Sequence, residues 1–198
     1  YYRRLTSDDP RVRAEAAPEG RPDILDRNGV IMATDLAVAS IYADPRSVWD
    51  AAETARALNG VFPELDVEEL TAKLQAKTAF VWVKRDITPR QHAAVHDLGL
   101  PGISFRQELK RVYPNGRAAA HVLGFVDVDN KGLAGIEQAI DTSLAARTAH
   151  GEPVKLSIDL RVQHVVADEL AKTIEKFSAL GGAGLVMDVD TGEVVAMV

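Results

Sequence analysis

From Lys110 to Phe125 the chain reads Lys-Arg-Val-Tyr-Pro-Asn-Gly-Arg-Ala-Ala-Ala-His-Val-Leu-Gly-Phe, and few backbone paths accommodate that order. Pro114 fixes its own φ and Gly116 tolerates a positive one, so Tyr113–Gly116 must turn. The turn hands the chain to Ala118, Ala119 and Ala120, small enough for a short helix packed closely on a neighbour and stopped at Gly124. Gly132-Leu133-Ala134-Gly135-Ile136-Glu137 follows at once. These two stretches read as one unit with Arg21-Pro22-Asp23-Ile24-Leu25-Asp26-Arg27-Asn28-Gly29.

Composition removes several function classes. With 198 residues, 46% hydrophobic and 26% charged, the chain is globular and sized for one ordinary domain or two small ones. A net charge of −6 and basic runs no longer than Arg3-Arg4 or Lys84-Arg85 exclude a general nucleic-acid binder, which needs a concentrated basic surface. The lack of cysteine excludes disulfides, thiol catalysis and thiolate metal sites, and suits either cytosol or bacterial periplasm. No run reaches the ~20 apolar residues of a membrane span, and no signal peptide opens the sequence. It starts at Tyr1-Tyr2 and stops inside the strand-like Val194–Val198, as expected of a fragment.

Residues 1–20 carry no clear period. Ile24-Leu25 and Val30–Ala33 are expected to flank a type I′ hairpin turn at Asn28-Gly29, with a further strand at Val38–Ala43 closed by Pro45. Asp50 and Asp66 are expected to cap helices running to Leu58 and Leu74. Phe80–Val83 reads as a strand, Thr88-Pro89 as a helix start, and Ile103–Val112 as extended. A strand at Phe125–Asp129 and a helix from Gly135 to about Leu144 follow. Ala145–Pro153 is linker-like, with a domain boundary near residue 150. Beyond it, Val154–Ile158 is a strand, Asp159 caps an amphipathic helix from Leu160 to Phe177, and Asp190-Thr191-Gly192 joins two final strands.

In this order, the three turn-bearing stretches resemble the three N-terminal motifs of the class B penicillin-binding proteins, which crosslink the bacterial cell wall. Leu156–Asp159 with Gln163, and Asp188–Met197, are similar to the opening of that family's transpeptidase domain. Trp82-Val83-Lys84-Arg85 and Leu100–Ile103 favour the division-specific, septal D,D-transpeptidases over the elongation branch. The resemblance implies an α+β chain: an elongated, non-catalytic pedestal of the dimerisation-domain type over 1–150, then the first strands and helix of a transpeptidase domain over 151–198. It also implies a place at the periplasmic face of the inner membrane, behind an N-terminal anchor, with divisome membrane proteins such as the septal glycosyltransferase and its regulators as partners. Two departures stand out. The connection from Glu137 to Leu156 is shorter than the family pattern, and Pro22 stands where a glycine is common.

Penicillin-binding catalysis needs a serine three residues before a lysine, then Ser-x-Asn and Lys-Thr-Gly, to activate the nucleophile and stabilise the oxyanion. None of these occurs in the sequence, so this chain is expected to be no enzyme, while its parent would crosslink stem peptides through an acyl-serine and bind penicillin. No catalytic residue, cofactor or metal site is assigned. The residues singled out as structural or interdomain are Arg21, Asp26, Arg27, Asn28, Gly29, Arg111, Tyr113, Pro114, Gly116, His121, Gly124, Gly132, Gly135 and Glu137. Arg21, Asp26, Arg27 and Glu137 read as a buried salt-bridge network, since an arginine fork and a carboxylate hold elements in fixed relation; a partner-binding surface is the alternative.

Other features have plainer readings. His92 and His96 lie one turn apart but lack the Glu and third ligand of a metal site, and read as a solvated helix face. His121 reads as a hydrogen-bonded structural residue with a motif carboxylate as partner. Asp127-x-Asp129-x-Lys131 misses the Gly and Glu positions of a calcium loop. Phe80, Trp82 and Phe105 read as packing, and the acids at 66–69 as a helix start. Two other functions stay open: a self-association module pairing through an exposed sheet edge, with a homodimer as its product, and an acid/base hydrolase using Asp26 and Glu137.

Overall fold

The computed structural model describes residues 20–143 and 151–198. The expected boundary near residue 150 and most of the Ala145–Pro153 linker fall outside them, as does nearly all of the opening segment. The chain is mixed α+β and forms two compact units. The described residues of the first are Ala37–Leu109, and those of the second are 20–36, 110–143 and 151–198. Strands β2 (Ile31–Ala43) and β4 (Ile103–Val112) have residues in both.

In the first unit, β2 pairs antiparallel with β3 (Val81–Ile87), Tyr42 opposite Trp82, and β4 also pairs with β2. Helices α1 (Ala51–Val61), α2 (Val67–Leu74) and α3 (Pro89–Asp97) complete it. Each starts where a side chain replaces a missing helical partner. Asp50 accepts from the Glu53 N–H, Asp66 from Glu69, and Thr88 forms a capping box with Gln91. Ile41, Ala55, Leu58, Phe62, Leu70, Leu74, Ile87 and Val95 are buried together as its core.

The aromatic residues pack against one another. Tyr42 stacks on Phe80 at 5.0 Å, Phe80 meets Trp82 edge-on at 4.8 Å, and Arg85 lies 4.5 Å over the Trp82 ring. His92 departs from the solvated face expected of it, because its ring lies 3.9 Å from that of Phe105; His96 is largely exposed.

The second unit starts with the hairpin of β1 (Ile24–Leu25) and β2. β5 (Val154–Lys155) adds to β1 in parallel. Its core joins Ile24, Met32, Ala33, Ala119, Leu123, Ile140, Ile158 and Leu160. Helices α4 (Ala120–Leu123) and α5 (Gly135–Asp141) precede the 18-residue α6 (Leu160–Phe177), and β6 (Leu185–Met187) and β7 (Val194–Met197) form a separate hairpin. Among the described residues, no helix is long and apolar enough to cross a membrane.

Several elements differ from the pattern-based expectation. The two strands expected at Val30–Ala33 and Val38–Ala43 are one, because Thr34-Asp35-Leu36 stays extended between them. The hairpin turn is not type I′: Gly29 has a φ of 85°, whereas Asn28 is not among the residues with positive φ. Gly29 N–H donates to Asp26 O and Asp26 N–H to Val30 O, the pattern of a type I turn followed by a glycine bulge. The cause is Asp26, whose carboxylate takes the Asn28 N–H at 2.7 Å and holds that residue in an Asx turn. Phe125–Asp129 is not a strand; a single Val126–Gly132 bridge closes a tight loop in which Asp127 accepts from the Asp129 and Lys131 N–H groups.

Phe62, fully buried at the end of α1, is expected to cost about 3–5 kcal/mol of stability when changed to Ala, through lost burial and the cavity left behind. Chemical denaturation of the F62A variant measures it.

Candidate functional site

The three turn-bearing stretches converge inside the second unit. The Glu137 side chain, on the first turn of α5, is fully buried. Arg111 Nε donates to its Oε1 at 2.7 Å and Arg21 Nε to its Oε2 at 3.0 Å. One carboxylate thus bridges two guanidinium groups, each with a side chain no more than 10% exposed. The other guanidinium nitrogens are also engaged. Arg21 Nη2 donates to Glu137 O at 2.7 Å, and its Nη1 to Asn130 O at 2.9 Å and Asp141 Oδ1 at 2.6 Å. Arg111 Nη2 reaches Pro22 O at 2.9 Å and Nη1 reaches Asp35 Oδ1 at 3.3 Å. Such directional charge-assisted bonds hold backbone segments distant in sequence at fixed separation.

Asp35, Asn130 and Asp141 were not anticipated from sequence. Asp35 Oδ2 accepts from the Arg21 N–H and the Asn130 amide, and Asp141 Oδ2 accepts from the Gly132 N–H. The signal for Asp141 was its place four residues after Glu137, on the same helix face. Asp35 gave none, because it lies between two apparent strands. Close backbone approach completes the arrangement. A Cβ on Gly124, whose φ is 76°, would collide with the Ala134 carbonyl, and one on Gly132 with the Glu137 carbonyl. Gly135 lies against Val122 and Gly124 in the same way.

Tyr113 follows Arg111 and packs its ring on the core of this unit. Its hydroxyl is buried beside the Glu137 carboxylate, outside good hydrogen-bond geometry, and burial, then the Glu137 charge, pushes its pKa up to about 12. Pro114 and Gly116 form the turn, closed by Gly116 N–H to Tyr113 O. His121 does not take the hydrogen-bonded place expected of it. Ala119 is left-handed at φ 58°, the helix it starts is one turn long, and His121 lies exposed on it with no side-chain bond among the described residues.

Asp26, Arg27, Asn28 and Gly29 form a second node, apart from Glu137. Asp26, 1% exposed, accepts from the N–H groups of Asn28, Val30 and Leu160 and from the Asn28 amide. The Leu160 bond satisfies an orphan N–H in the first turn of α6. Arg27 N–H donates to Ile158 O, and its side chain pairs with Glu193 at 3.3 Å. Burial works to raise the Asp26 pKa, but its backbone bonds outweigh that and lower it. Asp159, the α6 cap, is held well below the carboxylate range by Arg161 and then by the Asn28 side chain. Among the described residues no group of three or more His, Cys, Asp or Glu is placed to hold a metal.

A model of the penicillin-binding protein dimerisation domain matches residues 16–152. Among similar proteins, the probable peptidoglycan D,D-transpeptidase FtsI of Caulobacter vibrioides is 44% identical over 93% of this chain and 31% of its own length. The probable peptidoglycan D,D-transpeptidase PenA of Neisseria gonorrhoeae is 33% identical over 94% of this chain and 37% of its own. The chain therefore spans about a third of these relatives. The penicillin-binding protein PBP2 of Helicobacter pylori, solved in complex with MreC, shares the fold with a TM-score of 0.64 at 23% identity, over 90% of this chain and 41% of that one.

Removing Glu137 leaves two buried guanidinium groups without their shared anion, so Glu137→Ala is expected to cost about 3–5 kcal/mol. Tyr113→Phe removes at most one poorly aligned contact to Glu137 and is expected to cost about 1 kcal/mol or less. Equilibrium denaturation of both variants separates the two cases. Since Asp26 and Asp159 have lowered folded-state pKa values, the unfolded chain takes up their protons first. Their stabilisation is full above the ordinary carboxylate range and falls away as pH drops through the folded values. Denaturation midpoints across acid pH are expected to fall less steeply in Asp26→Asn.

Proposed function

The chain belongs to the penicillin-binding protein dimerisation-domain family, and we propose that it is the non-catalytic pedestal of a septal peptidoglycan transpeptidase together with the first elements of the catalytic domain. The observation that carries this reading is the Glu137 node. Its charged groups are spent on one another and on backbone carbonyls, which is the chemistry of a brace and leaves no base poised against a nucleophile. The absence of Ser-x-x-Lys, Ser-x-Asn and Lys-Thr-Gly from the sequence supports the same assignment. The hydrolase alternative loses its basis, since Asp26 and Glu137 each lie buried in separate hydrogen-bond networks.

Residues 151–198 open the catalytic domain in this reading. Val165, Phe177, Leu185, Met187 and Val189 are all at least half exposed, apolar surface that other elements of that domain would cover. The parent would crosslink stem peptides through an acyl-serine at the periplasmic face of the inner membrane. The pedestal would set the height of that site and meet divisome membrane proteins; the H. pylori complex with MreC is a precedent for a penicillin-binding protein with a protein partner. Arg21, Arg111 and Glu137 are the residues that keep the pedestal rigid, with Gly124, Gly132 and Gly135 permitting the close approach.

Incubation with a fluorescent penicillin is expected to leave this chain unlabelled while a full-length septal transpeptidase labels under the same conditions. Stoichiometric covalent labelling of this chain would overturn the assignment.

A further inference from the structure

The sequence contains three Asn-Gly pairs, Asn28-Gly29, Asn59-Gly60 and Asn115-Gly116, and the fold treats them differently. This dipeptide is where asparagine is chemically weakest, because glycine places no side chain in the way of its own backbone nitrogen. Asn59-Gly60 lies within α1, where helical bonds hold the backbone, and the Asn59 amide donates to Leu65 O at 2.7 Å. Asn115 is half-buried, with its amide on Ile31 O at 2.8 Å. Asn28 and Gly29 are both exposed at the tip of the hairpin, and the Asn28 amide is held only by side-chain carboxylates, Asp26 Oδ2 at 3.3 Å and Asp159. Gly29 N–H is held by Asp26 O at 3.1 Å, a bond in an exposed turn that opens by local fluctuation without unfolding the unit.

We propose that Asn28-Gly29 is a site of spontaneous covalent modification, converting to aspartate or isoaspartate before the other two pairs and thereby releasing α6 from the hairpin. The Gly29 backbone nitrogen attacks Asn28 Cγ and loses its proton, the new C–N bond closes a five-membered succinimide, and the side-chain nitrogen leaves as ammonia. Water then opens the ring at either carbonyl, giving aspartate, or isoaspartate with one extra carbon in the main chain.

Either product strikes the second node. Asn28 is the amide donor between two carboxylates, bonding Asp26 and helping to hold Asp159 ionised. Conversion replaces that donor with a third negative charge beside Asp26, the group that accepts the Leu160 N–H. Isoaspartate also lengthens the backbone between Asp26 and Val30, the residues whose mutual bonds close the turn. Arg27 and Arg161 are the cations of this node. Arg161 is already committed to Asp159 through two bonds, at 3.1 and 2.7 Å, and Arg27 to Glu193.

The test ages the 198-residue chain in mildly alkaline buffer, follows each Asn-Gly peptide by mass spectrometry with fragmentation that distinguishes isoaspartate, and measures hydrogen exchange at the Leu160 and Arg161 amides. Conversion at Asn28 first, several-fold ahead of Asn59 and Asn115, with faster exchange at the start of α6, is the expected result. Asn28→Asp, which carries the charge without the extra carbon, is expected to show part of that acceleration from the outset. Earlier conversion at Asn59 or Asn115, or an intact Asn28 after an unstructured peptide of the same sequence has reacted, overturns the site. Conversion with unchanged α6 exchange, in both the aged chain and Asn28→Asp, overturns the release.

Discussion

A single carboxylate shared by two guanidinium groups holds the second unit together. Glu137 lies out of water, and its charge is affordable there only because Arg21 and Arg111 approach it from separate parts of the chain. Once they do, other contacts follow. The spare nitrogens of the arginines fix Asp35, Asp141 and the carbonyls of Pro22 and Asn130, and these bind the Arg21-Pro22 segment to β2, the Asp127 loop and α5. Gly124 and Gly132 then have to be glycine, because the segments so drawn in leave no room for a Cβ.

Much of this was legible in the sequence wherever the cause was local. The caps at Asp50, Asp66, Thr88 and Asp159 could be named because an N-cap depends only on the residues that follow it. The turn type at Asn28-Gly29 could not, since it is decided by the Asp26 side chain. The same division runs through the site. Arginine and glutamate in three ordered motifs pointed to a network, whereas Asp35 and Asn130 join it through contacts 14 to 109 residues away. His121 failed for the opposite reason: its neighbours in sequence look like a packed helix, and a left-handed Ala119 shortens that helix to one turn.

The second node has a different character. The buried charge at Glu137 is anchored from several directions, but α6 is attached mainly at its beginning. Leu160 and Gln163 are its buried residues, and Gln163 exchanges hydrogen bonds with Met197. The first motif therefore serves two purposes, with Arg21 bracing the Glu137 node and Asp26 gripping the start of α6.

The Asp26–Leu160 bond also has a place in time. The two residues are 134 positions apart, while the hairpin that shapes Asp26 closes over a handful of residues. At roughly 5–20 residues per second of synthesis, Asp26 is made on the order of ten seconds before its distant donor. The bond therefore closes late, and the β5 strand and the core residues that pack against β1 are made in the same interval.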